Sequence, residues 1–233
     1  MAFKDRMDAG RRLAAALKKY KSQQPVILAL PRGGVPVAAE IATALDAPLD
    51  LLLVRKIGVP MQPELAMGAV TDGNEPLVVR NEDVIRLIGI EENEFQSICD
   101  TELAEIERRR QRYLGNRARI DVTGRTAIVV DDGIATGATT RAALRAIRMR
   151  NPKRLVLAIP VAPTESLAAM REEADDVVCL EDHVSFGAIG YYYLDFRQVS
   201  DADVIEILGR FPTSTSGRAQ PGRQKDPKPA VRP

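Results

Sequence analysis

Five short apolar runs, at 26–30, 49–54, 126–130, 155–161 and 177–180, carry almost no polar alternation. A strand half exposed to water alternates apolar and polar residues, whereas a strand covered on both faces reads as a continuous run, so each of these predicts a buried strand. Between the runs the apolar positions return at helical spacing. Phe3, Met7, Leu13 and Leu17 mark one stripe of a helix predicted over 3–20, an alanine-rich helix is predicted over 37–45, and Leu144 and Ile147 lie on a helix that follows the run at 126–130. Leu167 and Met170 mark another, with Thr164 as its cap, and 201–208 reads as a last short helix. Strands alternating with helices call for an α/β fold, a mostly parallel central sheet flanked by helices.

Two stretches interrupt that alternation. Residues 68–70 and 77–79 flank Asp72-Gly73-Asn74, a hairpin pattern. The segment 82–113 is helical and heavily charged, with Val84, Ile85 and Ile88 in a short helix and Phe95, Ile98, Leu103 and Ile106 in a longer one. Residues 57–66 hold Gly58, Pro60 and Pro63 without a clear period, so a loop is predicted there. From residue 210 onward the chain is Pro, Gly, Ser and basic, with little to bury, and disorder is expected. The organisation that follows is one domain over 1–209 containing a helical insertion at 82–119, then a disordered basic tail over 210–233.

Composition narrows the setting without fixing the chemistry. Of the 233 residues 45% are hydrophobic, enough for a packed core. The formal charge is +1, but six basic residues beyond position 209 face Asp226 alone, a surplus of five that leaves the body four charges negative. Nucleic acid is therefore not an expected partner. Cys99 and Cys179 stand far apart, which argues for a reducing compartment and against a disulfide scaffold or a cysteine zinc site. His183 is the single histidine, so a multi-histidine metal site is excluded, and it reads as a peripheral polar residue. With no apolar run long enough to span a bilayer and no signal-peptide core, a cytoplasmic protein without a membrane partner is expected.

The candidate chemistry sits at two strand ends. After the run at 126–130 come Asp131 and Asp132, then the small-residue loop Gly133-Ile134-Ala135-Thr136-Gly137-Ala138-Thr139 and a helix. Ligands in α/β sheets bind beyond the carboxyl ends of strands, and backbone amides in such a loop can close around an anion at a helix's positive end. Carboxylates beside an anion cradle point to a sugar phosphate; a plain strand-to-helix turn capped by Asp and Thr is the alternative. No Gly-Lys-Ser/Thr occurs there, so a Walker loop is excluded. After 26–30 comes Pro31-Arg32-Gly33-Gly34, whose glycines permit close backbone approach and whose arginine is a forked cation suited to phosphate oxygens. Taken alone, that turn could be an ordinary one.

Together these stretches resemble the type I phosphoribosyltransferases, whose signature is an apolar strand, two acids, three variable positions and Thr-Gly-x-Thr. The resemblance covers roughly 26–199. In that family the two acids bind the ribose hydroxyls of phosphoribosyl pyrophosphate (PRPP) and the loop binds its 5-phosphate. This implies Asp131 and Asp132 at the ribose, and Ala135, Thr136, Gly137, Ala138 and Thr139 at the 5-phosphate. The turn after 26–30 is similar to the family's pyrophosphate loop, which implies Arg32, Gly33 and Gly34 at the pyrophosphate and a cis peptide between Pro31 and Arg32. Arg55-Lys56 matches the basic residue at the base of the family's mobile closing loop. Lys56 is then a further pyrophosphate ligand, unless the pair is only a solvated strand end.

The resemblance implies the type I phosphoribosyltransferase fold and transfer of the 5-phosphoribosyl group from PRPP to a nitrogenous, nucleobase-like acceptor, with release of pyrophosphate. Asp131, Asp132, Lys56 and Arg32 would be catalytic. Mg2+ is the implied cofactor, held by Asp131 and Asp132 directly or through water, and a homodimer is expected. A PRPP-sensing regulator on the same fold is the alternative, although the chain shows no recognisable DNA-binding module. Relatives close the site with a C-terminal hood, which corresponds here to 181–200. Phe186, Tyr191 and Asp195 are the candidate acceptor residues, but Phe186, Tyr191, Tyr192, Tyr193 and Phe196 could equally pack among themselves. The run Arg108-Arg109-Arg110-Gln111-Arg112 has Glu102, Glu105 and Glu107 beside it and reads as a solvated helix face.

Overall fold

The computed structural model describes residues 2–72 and 76–212, and the backbone alone at 63 and 64. In chain order the elements are α1 (Arg6–Ala16), β1 (Val26–Ala29), α2 (Gly34–Leu45), β2 (Leu49–Leu51), β3 (Val54–Val59), β4 (Gln62–Thr71), β5 (Leu77–Arg80), α3 (Glu82–Ile88), α4 (Glu92–Leu114), β6 (Thr126–Val130), α5 (Ala138–Arg148), β7 (Arg154–Pro163), α6 (Thr164–Glu173), β8 (Asp176–His183) and α7 (Asp201–Gly209). Among the described residues no helix is long and apolar enough to cross a membrane.

The apolar runs form a five-stranded parallel sheet in the order β2-β1-β6-β7-β8. Successive residues serve opposite cores, which is why the strands show no polar alternation. Ile27, Ala29, Ile128 and Val130 pack toward α1 and α2, while Val26, Leu28, Ala127 and Val129 pack toward α5 and α6.

Four local expectations are corrected. Residues 57–66 do not form a loop: β3 and β4 pair antiparallel from Val54 opposite Thr71 to Val59 opposite Gln62. The pairing slips on either side of Gly58, and such a slip shifts the side-chain alternation by one, which hides the strand period. β5 joins from Gly68–Arg80 to Thr71–Leu77, as the hairpin pattern predicts; its turn at 73–75 lies outside the described residues. The apolar run at 49–54 divides, with Leu49–Leu51 in the parallel sheet and Val54 opening the antiparallel one. The first helix is shorter than 3–20 because the Asp5 carboxylate caps it, accepting from the Asp8 N–H, and Phe3 instead bridges to Tyr193. Of its expected stripe Phe3, Leu13 and Leu17 are buried but Met7 is 46% exposed; Ala9 packs with Phe3 and Tyr193, and Gly10, Leu13 and Ala14 pack on α2. That face needs small residues, since a Cβ on Gly10 would lie 2.6 Å from the Val37 carbonyl oxygen. The tail expected to be disordered falls, beyond residue 212, outside the described residues.

The three-stranded sheet and the helical insertion form one shoulder beside α5, with β3 and β4 against both α4 and α5. Phe95 fastens α4 to it. Its ring is 1% exposed, lies beside Gly68, and carries the Arg80 guanidinium 4.2 Å from its centroid. Phe95→Ala is expected to lower unfolding stability by about 3–4 kcal/mol, read from urea unfolding; a loss below ~1 kcal/mol would show that the insertion docks without it.

Candidate active site

The strand order places the two sequence motifs side by side. The chain passes from β1 outward to β2, and later enters on the other side at β6, so the loops after β1 and β6 border the crevice where strand order reverses. The Leu30 N–H donates to the Val130 carbonyl at 2.9 Å, continuing the ladder past the strand ends. The peptide between Pro31 and Arg32 is cis, as the resemblance implies. The glycines that follow are pressed onto the acid pair. A Cβ on Gly33 would lie 2.1 Å from Asp132 Oδ2, and one on Gly34 would lie 2.6 Å from the Val130 carbonyl oxygen and 2.9 Å from Asp131 Cα. Any side chain at either position would collide with the strand end that carries the acids.

Asp132 is held from three directions. Its carboxylate accepts from Arg6 Nε at 2.7 Å, in a pair whose side chains are only 11% and 12% exposed. The same guanidinium donates through Nη1 to the Arg197 carbonyl at 2.8 Å and lies 3.9 Å over the Phe196 ring. The Tyr193 hydroxyl donates to the Asp132 carbonyl oxygen at 2.6 Å. Burial, then the Asp132 charge, push the Tyr193 hydroxyl well above its ordinary value, so it stays protonated and remains a donor. The half-buried Asp131 accepts the Asp132 N–H at 2.8 Å. Its carboxyl is raised well above the ordinary aspartate value, first by burial and then by the neighbouring Asp132 charge. A cation, or donors from a ligand, would relieve that pressure.

Beyond the acids the loop is fastened at its start and open at its tip. The Ile134 N–H donates to the Val161 carbonyl at 3.0 Å and Ser166 Oγ donates to the Ala135 carbonyl at 2.9 Å. Gly137, at φ +75°, caps α5, and Thr136 and Thr139 are exposed. The first amides of α5 therefore lie at the end of a loop that leads directly from the carboxylates.

The other expected residues are dispersed. The Arg32 guanidinium reaches Asp201 on α7 at 3.5 Å. Lys56, on β3, lines a pocket with Arg80, Ala138, Arg141 and Arg145, which groups it with the start of α5. Phe186 stacks on Tyr192 at 4.9 Å, Tyr191 is 79% exposed, and Asp195 is paired with Arg197 at 2.7 Å, so these three do not converge on one cavity. His183 is also packed on Tyr192, at 4.5 Å. Two residues at the acids escaped the sequence reading, Arg6 and Tyr193. For Arg6 a signal exists: it lies in phase with Ala9, Gly10 and Leu13, a charge at the head of a buried stripe.

A family model described as the phosphoribosyl transferase domain matches residues 2–195. Two Mycobacterium tuberculosis proteins, Rv0571c and MT0597, whose names assign them provisionally to the phosphoribosyl transferases, are 46% identical to this chain over 208 residues. That match takes in 89% of this chain and 46% of theirs, so the chain spans about half the length of these curated relatives. The crystal structure of TT1426 from Thermus thermophilus is similar at 40% identity and a TM-score of 0.83, over 91% of this chain and 100% of that one. With a two-acid strand end, a small-residue loop opening a helix and a glycine turn packed on the acids, the chain belongs to the phosphoribosyl transferase domain family.

Proposed function

We propose that the protein transfers the 5-phosphoribosyl group of PRPP to a nitrogenous acceptor, most simply a nucleobase-like ring, and releases pyrophosphate. The observation that carries this reading is the packing of Gly33 and Gly34 onto Asp131 and Asp132. It supports a reading in which the glycine turn serves the pyrophosphate, the loop after the acids serves the 5-phosphate, and the two carboxylates serve the ribose hydroxyls. In the reaction the acceptor nitrogen forms a bond to the anomeric carbon as the bond from that carbon to the pyrophosphate oxygen breaks. The nitrogen's proton then passes to solvent. The chain's residues act by position and charge: α5 amides with Thr136 and Thr139 hold the 5-phosphate, Asp131 and Asp132 hold the ribose, and Arg32, Gly33, Gly34 and Lys56 serve the pyrophosphate.

Mg2+ fits this site. Two adjacent carboxylates at a strand end, with Arg6 paired to Asp132 alone, are hard oxygen donors. Among the described residues no group of three or more His, Cys, Asp or Glu forms a cage, so Asp131 and Asp132 would hold the ion together with oxygens of PRPP and water. When bound, Mg2+ supplies neutralisation of the departing pyrophosphate. The acceptor is assigned to the hood, where Tyr191 presents a largely exposed ring.

Pyrophosphate release from PRPP and Mg2+, measured across a panel of bases and small amines, tests the reading. Wild type is expected to turn over with at least one acceptor, and Asp131→Asn to lose about a hundredfold or more in kcat/KM. PRPP binding without turnover for any acceptor would transfer the reading to a PRPP-sensing protein, and failure to bind PRPP would overturn both.

A further inference from the structure

The inserted helix α4 meets the β1 loop at a second polar cavity, which adjoins the crevice at Pro31 and Arg32. Arg32, Arg108, Arg109, Arg112, Tyr113 and Asp201 line a cleft of about 350 Å³, within the range of small-ligand sites. None of its walls comes from the Asp131–Thr139 loop. Positions 108, 109 and 112 share one face of the helix, because residues three and four apart lie in adjacent turns.

The charges there do not balance. Arg108 grips Glu105 at 2.7 and 2.9 Å, and Arg109 shares the same carboxylate at 2.7 Å. Asp201 accepts from Tyr113 Oη at 2.6 Å and pairs with Arg112 at 2.9 Å and Arg32 at 3.5 Å. Four guanidinium groups thus face two carboxylates, a surplus of two positive charges with donors to spare. The side chains of Arg108 and Arg112 are 58% and 53% exposed, so their heads remain open to an incoming ligand. By contrast Arg110, on the opposite side of the run, is matched one to one with Glu107. Asp201 shows what the cleft favours: an oxyanion held by a phenol hydroxyl and two guanidinium groups. Phosphate oxygens offer the same geometry with more charge. A concave cavity on a body of net negative charge suits a small ligand rather than a nucleic-acid duplex.

We propose that this cleft binds a small polyphosphate anion, either inorganic or the diphosphate or triphosphate group of a nucleotide, at a site separate from the Asp131–Asp132 crevice. Arg32 belongs to both places. It stands next to Gly33, which lies against Asp132, and its guanidinium forms part of the cleft. The binding site itself does not depend on the phosphoribosyl reading.

Calorimetric titration with inorganic tripolyphosphate in Mg2+-free buffer tests it. Wild type is expected to bind, with affinity falling as salt rises. The Arg108→Gln/Arg112→Gln variant is expected to bind at least about tenfold more weakly, with unchanged circular dichroism, while Thr139→Val in the crevice loop leaves the affinity as it was. GTP displacing tripolyphosphate at equal affinity identifies the phosphate chain alone as the ligand; tighter binding of GTP identifies a nucleotide. Undiminished affinity in the double variant, loss of affinity in Thr139→Val, or no binding by wild type would each overturn the proposal.

Discussion

Gly33→Ala is expected to lower kcat/KM for phosphoribosyl transfer by about a hundredfold or more while the domain stays folded, since misplacing catalytic groups by about an ångström costs on that order. Gly33 has an ordinary φ of −60°, so alanine meets no backbone strain. The entire cost is collision: the new methyl would lie 2.1 Å from Asp132 Oδ2 and 2.5 Å from its Cγ. The carboxylate must leave, and in leaving it abandons Arg6. Gly34→Ala meets a different obstacle, the Val130 carbonyl and Asp131 Cα of the central strand end, which cannot rotate away. Both substitutions are therefore expected to lower the melting temperature, the first through the broken Arg6–Asp132 pair and the second through displacement of the strand end, and the first to remove PRPP binding as well. Isothermal titration with PRPP beside thermal denaturation reads both effects. Wild-type PRPP affinity in Gly33→Ala would falsify the assignment of the Gly33–Asp132 contact to the site.

The second large effect concerns Arg6. Arg6→Ala leaves the Asp132 carboxylate nearly buried without its cation, and a stability loss of about 2–3 kcal/mol is expected, toward the lower end for breaking a buried pair because both partners keep slight exposure. Asp132→Ala strands the guanidinium in turn, so the double variant should be less damaged than the sum of the singles, by a coupling of about 1–3 kcal/mol. Arg6→Lys cannot restore the arrangement, because one ammonium cannot donate to Asp132, donate to the Arg197 carbonyl and stack on Phe196 as the planar fork does. If Asp132 holds the ribose as proposed, turnover in Arg6→Ala should fall with the stability, since Asp132 loses its fixed direction. Strict additivity of the two single losses in urea unfolding would show that the pair has no energetic role.

The legible parts of this molecule are those where one periodicity or one local motif decides the outcome. Continuous apolar runs such as 126–130 identified the parallel sheet because both of its faces are covered. Asp131 to Thr139 and Pro31 to Gly34 were readable because each is a contiguous stretch at a strand end. The ribbon of β3 and β4 was not, since the slip about Gly58 breaks the alternation that identifies a strand. The contacts of Arg6 and Tyr193 with Asp132 could not be read locally because they act across 126 and 61 positions, although Arg6 stands in phase with a buried stripe and Tyr193 lies in the aromatic cluster. Met7 drew attention in the first helix on hydrophobicity, although the face against α2 is chosen by smallness. The arginines of α4 looked like a solvated face in the sequence, and one row of them becomes a cleft wall only because folding brings Arg32 and Asp201 opposite.

The clasp on Asp132 also bears on how the protein is made. Arg6 is translated before most of the described residues and Tyr193 after most of them, and the bridge from Phe3 to Tyr193 ties those two segments together. Chains generally fold from the N-terminal side during synthesis. A nascent chain that has completed β6 already carries both acids but lacks Tyr193 and Phe196 to complete the clasp. Assembly of the Asp132 clasp is thus a late event of biogenesis, withheld until translation has passed residue 196.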